Sequence, residues 1–198
     1  MNINIRKWNR MSSEEKSLLF SRSELNISDV TEAVSSIITR VENGGDKALR
    51  ELTLKFDGVD ISELPLAAAA SEFEKAESMI SCELKAAIQY SIENVETFHR
   101  YQKPGEMELK EIRPGIMAGE KASPISSAGL YVPRGRGSFP SMLYMLAVPA
   151  AIAGVDRIAV VTPPNKDGSI DPACLYAAKL CGVTEVYRVG GAQAIAAL

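Results

Sequence analysis

Gly129-Leu-Tyr-Val-Pro-Arg-Gly-Arg-Gly-Ser-Phe-Pro140 stops a short apolar strand and starts a helix. Leu130, Tyr131 and Val132 suit a pleated, half-buried strand, and glycines and prolines break the run immediately after them. A helix-periodic apolar segment then runs from Met142 to Ala153. Strand, glycine loop and helix in this order are the grammar of a nucleotide-binding α/β unit, where backbone N–H groups at a helix N-terminus approach a phosphate. Gly135-x-Gly137 lacks the third glycine of the dinucleotide fingerprint, and Pro140 stands where helix–sheet packing favours one. The loop by itself is equally compatible with a strand-to-helix connection that binds nothing.

Its surroundings extend the pattern. From Ser126 the chain alternates: strand 127–132, helix 140–153, strand 157–161, helix 172–181, strand 184–189 and a helix opening at Gly191. Strands separated by helices at this spacing predict parallel crossovers. Upstream, Met107, Leu109 and Ile112 alternate with charged residues as far as Pro114-Gly115, so a β-hairpin is expected near 106–121. The first hundred residues read as helices. Ser12-x-x-Glu15 is a capping box before a helix to about Arg22, and Val30, Ala33, Val34, Ile37, Ile38 and Val41 keep one apolar face. Gly44-Gly45 stops that helix and Asp46 can cap the next, which carries Leu49, Leu52 and Phe56. A short helix from Ser71 leads to a longer one near Ser81, with Leu84, Ile88, Ile92 and Val95 on its stripe. The Ala67–Ala70 run reads as a joint between loop and helix.

The predicted class is therefore α/β: a helical N-terminal region, a β-hairpin, then an incomplete Rossmann-like parallel unit. Residues 1–125 form the first region and 126–198 the second. Gly190 to Leu198 reads as an apolar helix with no C-cap, so the chain is expected to be the N-terminal part of a longer protein, or one whose remainder was lost, with an under-covered apolar face on the helical N-terminal region.

Composition narrows the function. The 198 residues carry a net charge of −3 with no basic stripe, which argues against nucleic acid as a partner. The longest apolar run, Met142 to Val155, is too short to span a bilayer and contains Pro149. Met1 to Trp8 shows no apolar h-region or small-residue cleavage site, and Cys82, Cys174 and Cys181 have no C-x-x-C spacing, so no secretory signal and a reducing, cytoplasmic setting are expected. The one histidine, His99, cannot build a metal site or a nucleophile–base pair alone. No catalytic residue and no metal ligand is expected within these residues.

Binding chemistry is better represented. Ligands of parallel α/β sheets sit at the carboxyl ends of the strands. Tyr131 ends one strand and Gln193 opens the helix after another. Tyr131 can stack on or hydrogen-bond a planar ring, and Gln193 offers a donor and an acceptor. Arg134 and Arg136 bring positive charge to the glycine loop, suited to a pyrophosphate or an acidic partner. In the plainer alternative, Tyr131 packs in the core and both arginines are solvated.

Several longer segments now line up. Glu93-Asn-Val-Glu-Thr-Phe-His-Arg-Tyr-Gln-Lys-Pro104 resembles the N-[IV]-x-x-F-H-x-x-Q segment of histidinol dehydrogenases. Gly129-Leu-Tyr-Val-Pro133, Ser141 to Gly154, Thr162-Pro-Pro164, Ala177-Ala178 and Gly190-Gly-Ala-Gln-Ala-Ile-Ala-Ala197 follow in that family's order. The resemblance covers essentially the whole chain and is dense from Ile92 onward, and it is to the N-terminal half of the family's enzymes. It implies a cytoplasmic, zinc-dependent homodimer of histidine biosynthesis that oxidises L-histidinol to L-histidine in two NAD-dependent steps through an aldehyde. It implies Tyr131 and Gln193 as NAD-contacting residues, and the chemistry of the glycine loop adds Arg134, Gly135 and Gly137 as weaker candidates. The zinc ligands, the acid–base pair and the substrate-binding serine are expected beyond Leu198, so this chain alone is expected to be inactive. Pro133-Arg134-Gly135 departs from the family's usual Pro-Gly-Gly, which bears on the shape of the loop. Two alternatives remain: a related NAD-dependent dehydrogenase acting on another alcohol, and a non-catalytic nucleotide-binding chain.

Overall fold

The computed structural model describes residues 5–21, 27–105, 107–134 and 137–198. The chain forms two compact units, Met1–Ser36 and Ile37–Leu198. In the first, a single 3-10 turn (Trp8–Arg10) precedes helix α1 (Ser13–Ser21). The capping box closes as the sequence predicts: the Glu15 amide donates to Ser12 Oγ (3.1 Å) and the Ser12 amide to Glu15 Oε2 (2.9 Å). Trp8 meets Phe20 edge-on at 5.8 Å, and Lys16 Nζ lies 5.0 Å from the Trp8 ring centre.

Helix α2 (Ile27–Asp57) continues into the second unit and is broken at Gly45, where φ is +50° and ψ is −135°. That left-handed backbone is open to glycine and strained for other residues. The two glycines thus end one helical run and a second follows, as the sequence suggests. Arg40 and Glu51 bridge the break at 2.9 Å. On the apolar stripe before it, Val41 is buried while Val30, Val34 and Ile38 are exposed.

Helices α3 (Ala70–Met79) and α4 (Cys82–Gln102) come next, and Ser81 Oγ caps α4 by accepting from the Leu84 amide (3.1 Å). Strands β1 (Glu108–Arg113) and β2 (Ile116–Glu120) then make the expected antiparallel hairpin. Every residue of both strands is exposed, including Leu109, Ile112, Ile116 and Met117.

The parallel sheet has the order β3-β4-β5, built from β3 (Ser127–Tyr131), β4 (Arg157–Val161) and β5 (Glu185–Tyr187). Helices α5 (Pro140–Ala153) and α6 (Pro172–Leu180) make the crossovers, and α7 (Gly191–Ala197) follows β5. Side chains alternate across the sheet. Leu130, Val132, Ile158, Val160 and Val186 face a core completed by Ile88 and Ile92 of α4, Leu143, Ala147 and Val148 of α5, and the buried residues of α6. Tyr131, Val161, Tyr187 and Val189 belong to the opposite cluster, with Val41, Leu49 and Leu52 of α2 and Ala194 of α7. Both crossovers lie on one face, as equal-handed steps in one direction require, and α7 leaves β5 onto the other.

One element departs from the sequence reading. The Ala67–Ala70 run is more than a joint, because Ala67 bridges Tyr187 in antiparallel sense. The Ala68 amide donates to Val186 O (2.8 Å) and the Arg188 amide to Leu66 O (2.9 Å). This short segment closes the outer edge of β5, which would otherwise leave unpaired backbone groups.

Candidate functional site

Three connections meet at the carboxyl edge of the sheet: residues 132–140 after β3, 162–171 after β4 and 188–191 after β5. The β4 connection is fixed by its own polar side chains. Asp171 caps α6, accepting from the Ala173 (2.9 Å) and Cys174 (3.1 Å) amides, and it also accepts from Ser138 Oγ (2.8 Å). Ser138 belongs to the glycine loop, so this bond ties the β3 connection to the start of α6. Ser169 donates to Asp167 through hydroxyl (2.7 Å) and amide (3.0 Å), holding that carboxyl below its usual range, with a smaller pull from Arg134. Burial, chiefly, pushes the Cys174 thiol up to about 12, so it is a packing residue rather than a nucleophile.

The β5 connection is shaped by close approach. A Cβ on Gly190 would lie 2.2 Å from Pro163 Cγ, so only glycine fits between β5 and the Thr162-Pro163-Pro164 segment without a shift. Gly191 has φ +67°, and a Cβ there would lie 2.7 Å from Gln193 Oε1. The Gly191 amide donates to the Tyr131 hydroxyl at 3.4 Å, a long bond that links the ends of β3 and β5.

Sequence-predicted residues fall as follows. Tyr131 is half-buried at the end of β3, and Gln193 is 1% exposed in the first turn of α7. The structure brings these two together through Gly191. Gln193 Nε2 is buried with no hydrogen-bond partner, a donor that a folded protein normally satisfies. Arg134 and Gly137 are exposed in the loop, and neither is hydrogen-bonded to Tyr131 or Gln193. Gly135 and Arg136 lie outside the described residues. A cavity of about 270 Å³ lies on the α7 face of the sheet, bordered by Leu49, Ala159, Val189 and Leu198 and by the polar Asp46 and Arg157, and none of the candidate residues lines it.

Sequence reasoning passed over Ser138, Asp171 and Arg188. Ser138 and Asp171 are 33 residues apart, and Asp171-Pro172 looks like an ordinary helix start, so their contact has no local signature. A charged residue closing the Val186-Tyr-Arg-Val189 run did carry a hint, because a strand buried on both faces has little room for it. Among the described residues, no group of three or more His, Cys, Asp or Glu could hold a metal ion. Among the same residues, no helix is long and apolar enough to cross a membrane.

Fold and site together define a parallel α/β protein whose glycine turn after β5 meets the end of β3 at the carboxyl edge. A family model for histidinol dehydrogenase matches residues 20–198, and the chain belongs to the histidinol dehydrogenase family. It is 47% identical over 97% of its length to a histidinol dehydrogenase homolog of Rhizobium meliloti, covering 42% of that protein. It is 41% identical over 98% of its length to a histidinol dehydrogenase of Synechocystis, covering 45% of it. The crystal structure of histidinol dehydrogenase from Elizabethkingia anophelis matches 85% of this chain and 38% of that one, with TM-score 0.80 and 36% identity. The chain thus spans less than half the length of these relatives.

Proposed function

We propose that this chain contributes the cofactor-binding part of an NAD-dependent dehydrogenase that oxidises L-histidinol to L-histidine in two steps through the aldehyde. The observation that carries the reading is the buried, unpartnered Gln193 amide beside the Gly191–Tyr131 hydrogen bond, in a chain of this family. An orphaned donor and a glycine cradle at a carboxyl edge fit a dinucleotide. NAD, when bound, would accept the hydride leaving the substrate carbon.

The chain's own residues bind and orient. Gln193 Nε2 donates to the cofactor, removing the cost of an unsatisfied buried group. The Tyr131 hydroxyl stays aligned by the Gly191 amide, and its ring offers a flat apolar face. Gly190 and Gly191 leave backbone where side chains would block approach. Arg134 and Gly137 lie on the loop side, where positive charge and open backbone favour phosphate, and Gly135 belongs to the same assignment. Residues 126–198 are accordingly the cofactor domain, and residues 1–125 belong to a second domain completed by the rest of the whole protein. The described residues do not fit a zinc ion. Substrate-binding and acid–base groups, a homodimeric state and a cytoplasmic setting belong to the same proposal for the whole protein.

Calorimetric titration of NAD onto this chain is the test. Weak, saturable binding is expected, since fewer contacts offset the cost of association. Gln193→Leu should abolish it while leaving the thermal midpoint unchanged or slightly raised, because an unsatisfied donor is removed. With histidinol and NAD added, NADH absorbance should stay at background. No NAD binding overturns the cofactor assignment, and turnover by this chain overturns the placing of catalysis elsewhere.

A further inference from the structure

Arg188 is 2% exposed, yet it follows β5 directly and stands two residues before Gly190. Its guanidinium reaches three separate parts of the unit. Nη1 donates to Gly168 O (3.0 Å) in the β4–α6 connection, and Nη2 donates to Ala67 O (3.4 Å) in the edge segment and to Glu72 Oε2 (2.6 Å) in the first turn of α3. Glu72 Oε2 also accepts from the Ala69 amide (2.9 Å). Burial disfavours the ionised Glu72, but the Arg188 and Ala69 bonds more than offset it and hold the carboxyl below its ordinary range.

Stability alone is a poor explanation for this arrangement. Arg188 Nε is buried without a partner, and a buried ion pair is often replaceable by apolar groups at no loss. What the guanidinium does uniquely is geometric. Its planar fork fixes the exit of β5 against both the β4 connection and the edge segment. The next residues then enter the gap beside Pro163 and deliver Gly191 to Tyr131. We propose that Arg188, held by Glu72, is the positioning residue that sets the Gly190–Gly191 turn and so places Gln193 beside Tyr131. This inference rests on the cofactor reading above for its functional meaning, but not for its geometry.

The test pairs NAD titration with ¹H–¹⁵N spectra of the whole chain. Arg188→Met combined with Glu72→Gln removes the charges and keeps most of the bulk. The double variant is expected to fold, to lose about tenfold in NAD affinity, and to shift the Gly191 amide and Gln193 side-chain amide peaks. Arg188→Lys keeps a cation opposite Glu72 but lacks the fork, so an affinity loss of about threefold is expected, with smaller shifts of the same peaks. Folded variants with affinity within about twofold of the parent and unmoved peaks overturn the proposal. If the double variant does not fold, Arg188→Lys and Glu72→Gln alone decide it by the same peaks. If the parent chain does not bind NAD, the cofactor reading fails, and peak positions alone judge Arg188.

Discussion

The two faces of the parallel sheet are built from similar strands but differ in how they are closed. On the first, Leu130, Val132, Ile158, Val160 and Val186 meet α4, α5 and α6, and Leu143, Ala147, Val160 and Val186 are wholly buried. On the second, α7, α2 and Leu66 cover the strands, and a cavity remains beside Leu49 and Leu198. That looser side carries Tyr131, Gln193 and the Arg157–Glu185–Tyr187 cluster. One face is tightly packed, and the other leaves a buried Gln193 Nε2 without a partner against strands that are held from behind.

Truncation at matched leucines gives the largest effect that could break this comparison. Leu143→Ala empties a fully packed site and should cost about 2–5 kcal/mol. Leu49→Ala only enlarges a cavity already present, so its cost should be less than half as great. Chemical denaturation of both variants checks this, and equal losses would remove the distinction between the faces.

A smaller effect is expected where the faces meet at the carboxyl edge. Gly190→Ala would push a methyl into Pro163, which belongs to a backbone segment with little freedom to move. A destabilisation of about 1–3 kcal/mol follows from such overpacking. NAD binding, if the site is as proposed, should weaken together with stability. A variant with unchanged thermal midpoint would show that the β4 and β5 connections are not mutually locked.

The closed face was readable in the sequence because its period is local. The α5 boundaries at Pro140 and Ala153 and β4 at 157–161 agree with the apolar pattern and the proline and glycine punctuation around them. Strand β5 is shorter than its apolar run: Val183 and Val189 are buried in connections rather than in the ladder. What escaped was tertiary. The Ala67 bridge uses a residue of low strand propensity whose pairing depends on β5, and Arg188 is satisfied by groups 20, 116 and 121 residues away. Tyr131 and Gln193 could be placed at one edge from strand direction alone. Their link through Gly191 needed the left-handed turn, which Gly190-Gly191 permits but does not specify.

The smallest expected effect lies on the open face, in the cross-strand pair between β4 and β5. Arg157 binds Glu185 through Nε (2.9 Å) and Nη2 (2.8 Å), and the Tyr187 hydroxyl donates to Glu185 Oε2 (2.8 Å). Arg157 foremost, and then Tyr187, holds the Glu185 carboxyl down at about 2, against an ordinary value of 4.5. A depressed carboxylate stabilises the fold fully above its unfolded value, and that contribution is lost as pH falls through the folded value. The window therefore runs from about pH 4.5 down to about pH 2. The Arg157 side chain is largely open to solvent and Glu185 is half-buried, so screening reduces the effect well below what the shift alone suggests. Glu185→Gln should lower the thermal midpoint near neutral pH by only a few degrees. The gap to the parent should close as pH is taken from 5 toward 2, and added salt should narrow it at neutral pH. Scanning calorimetry across that range decides the point. A gap that stays constant with pH would mean that Glu185 acts by packing against Tyr187 rather than by its charge.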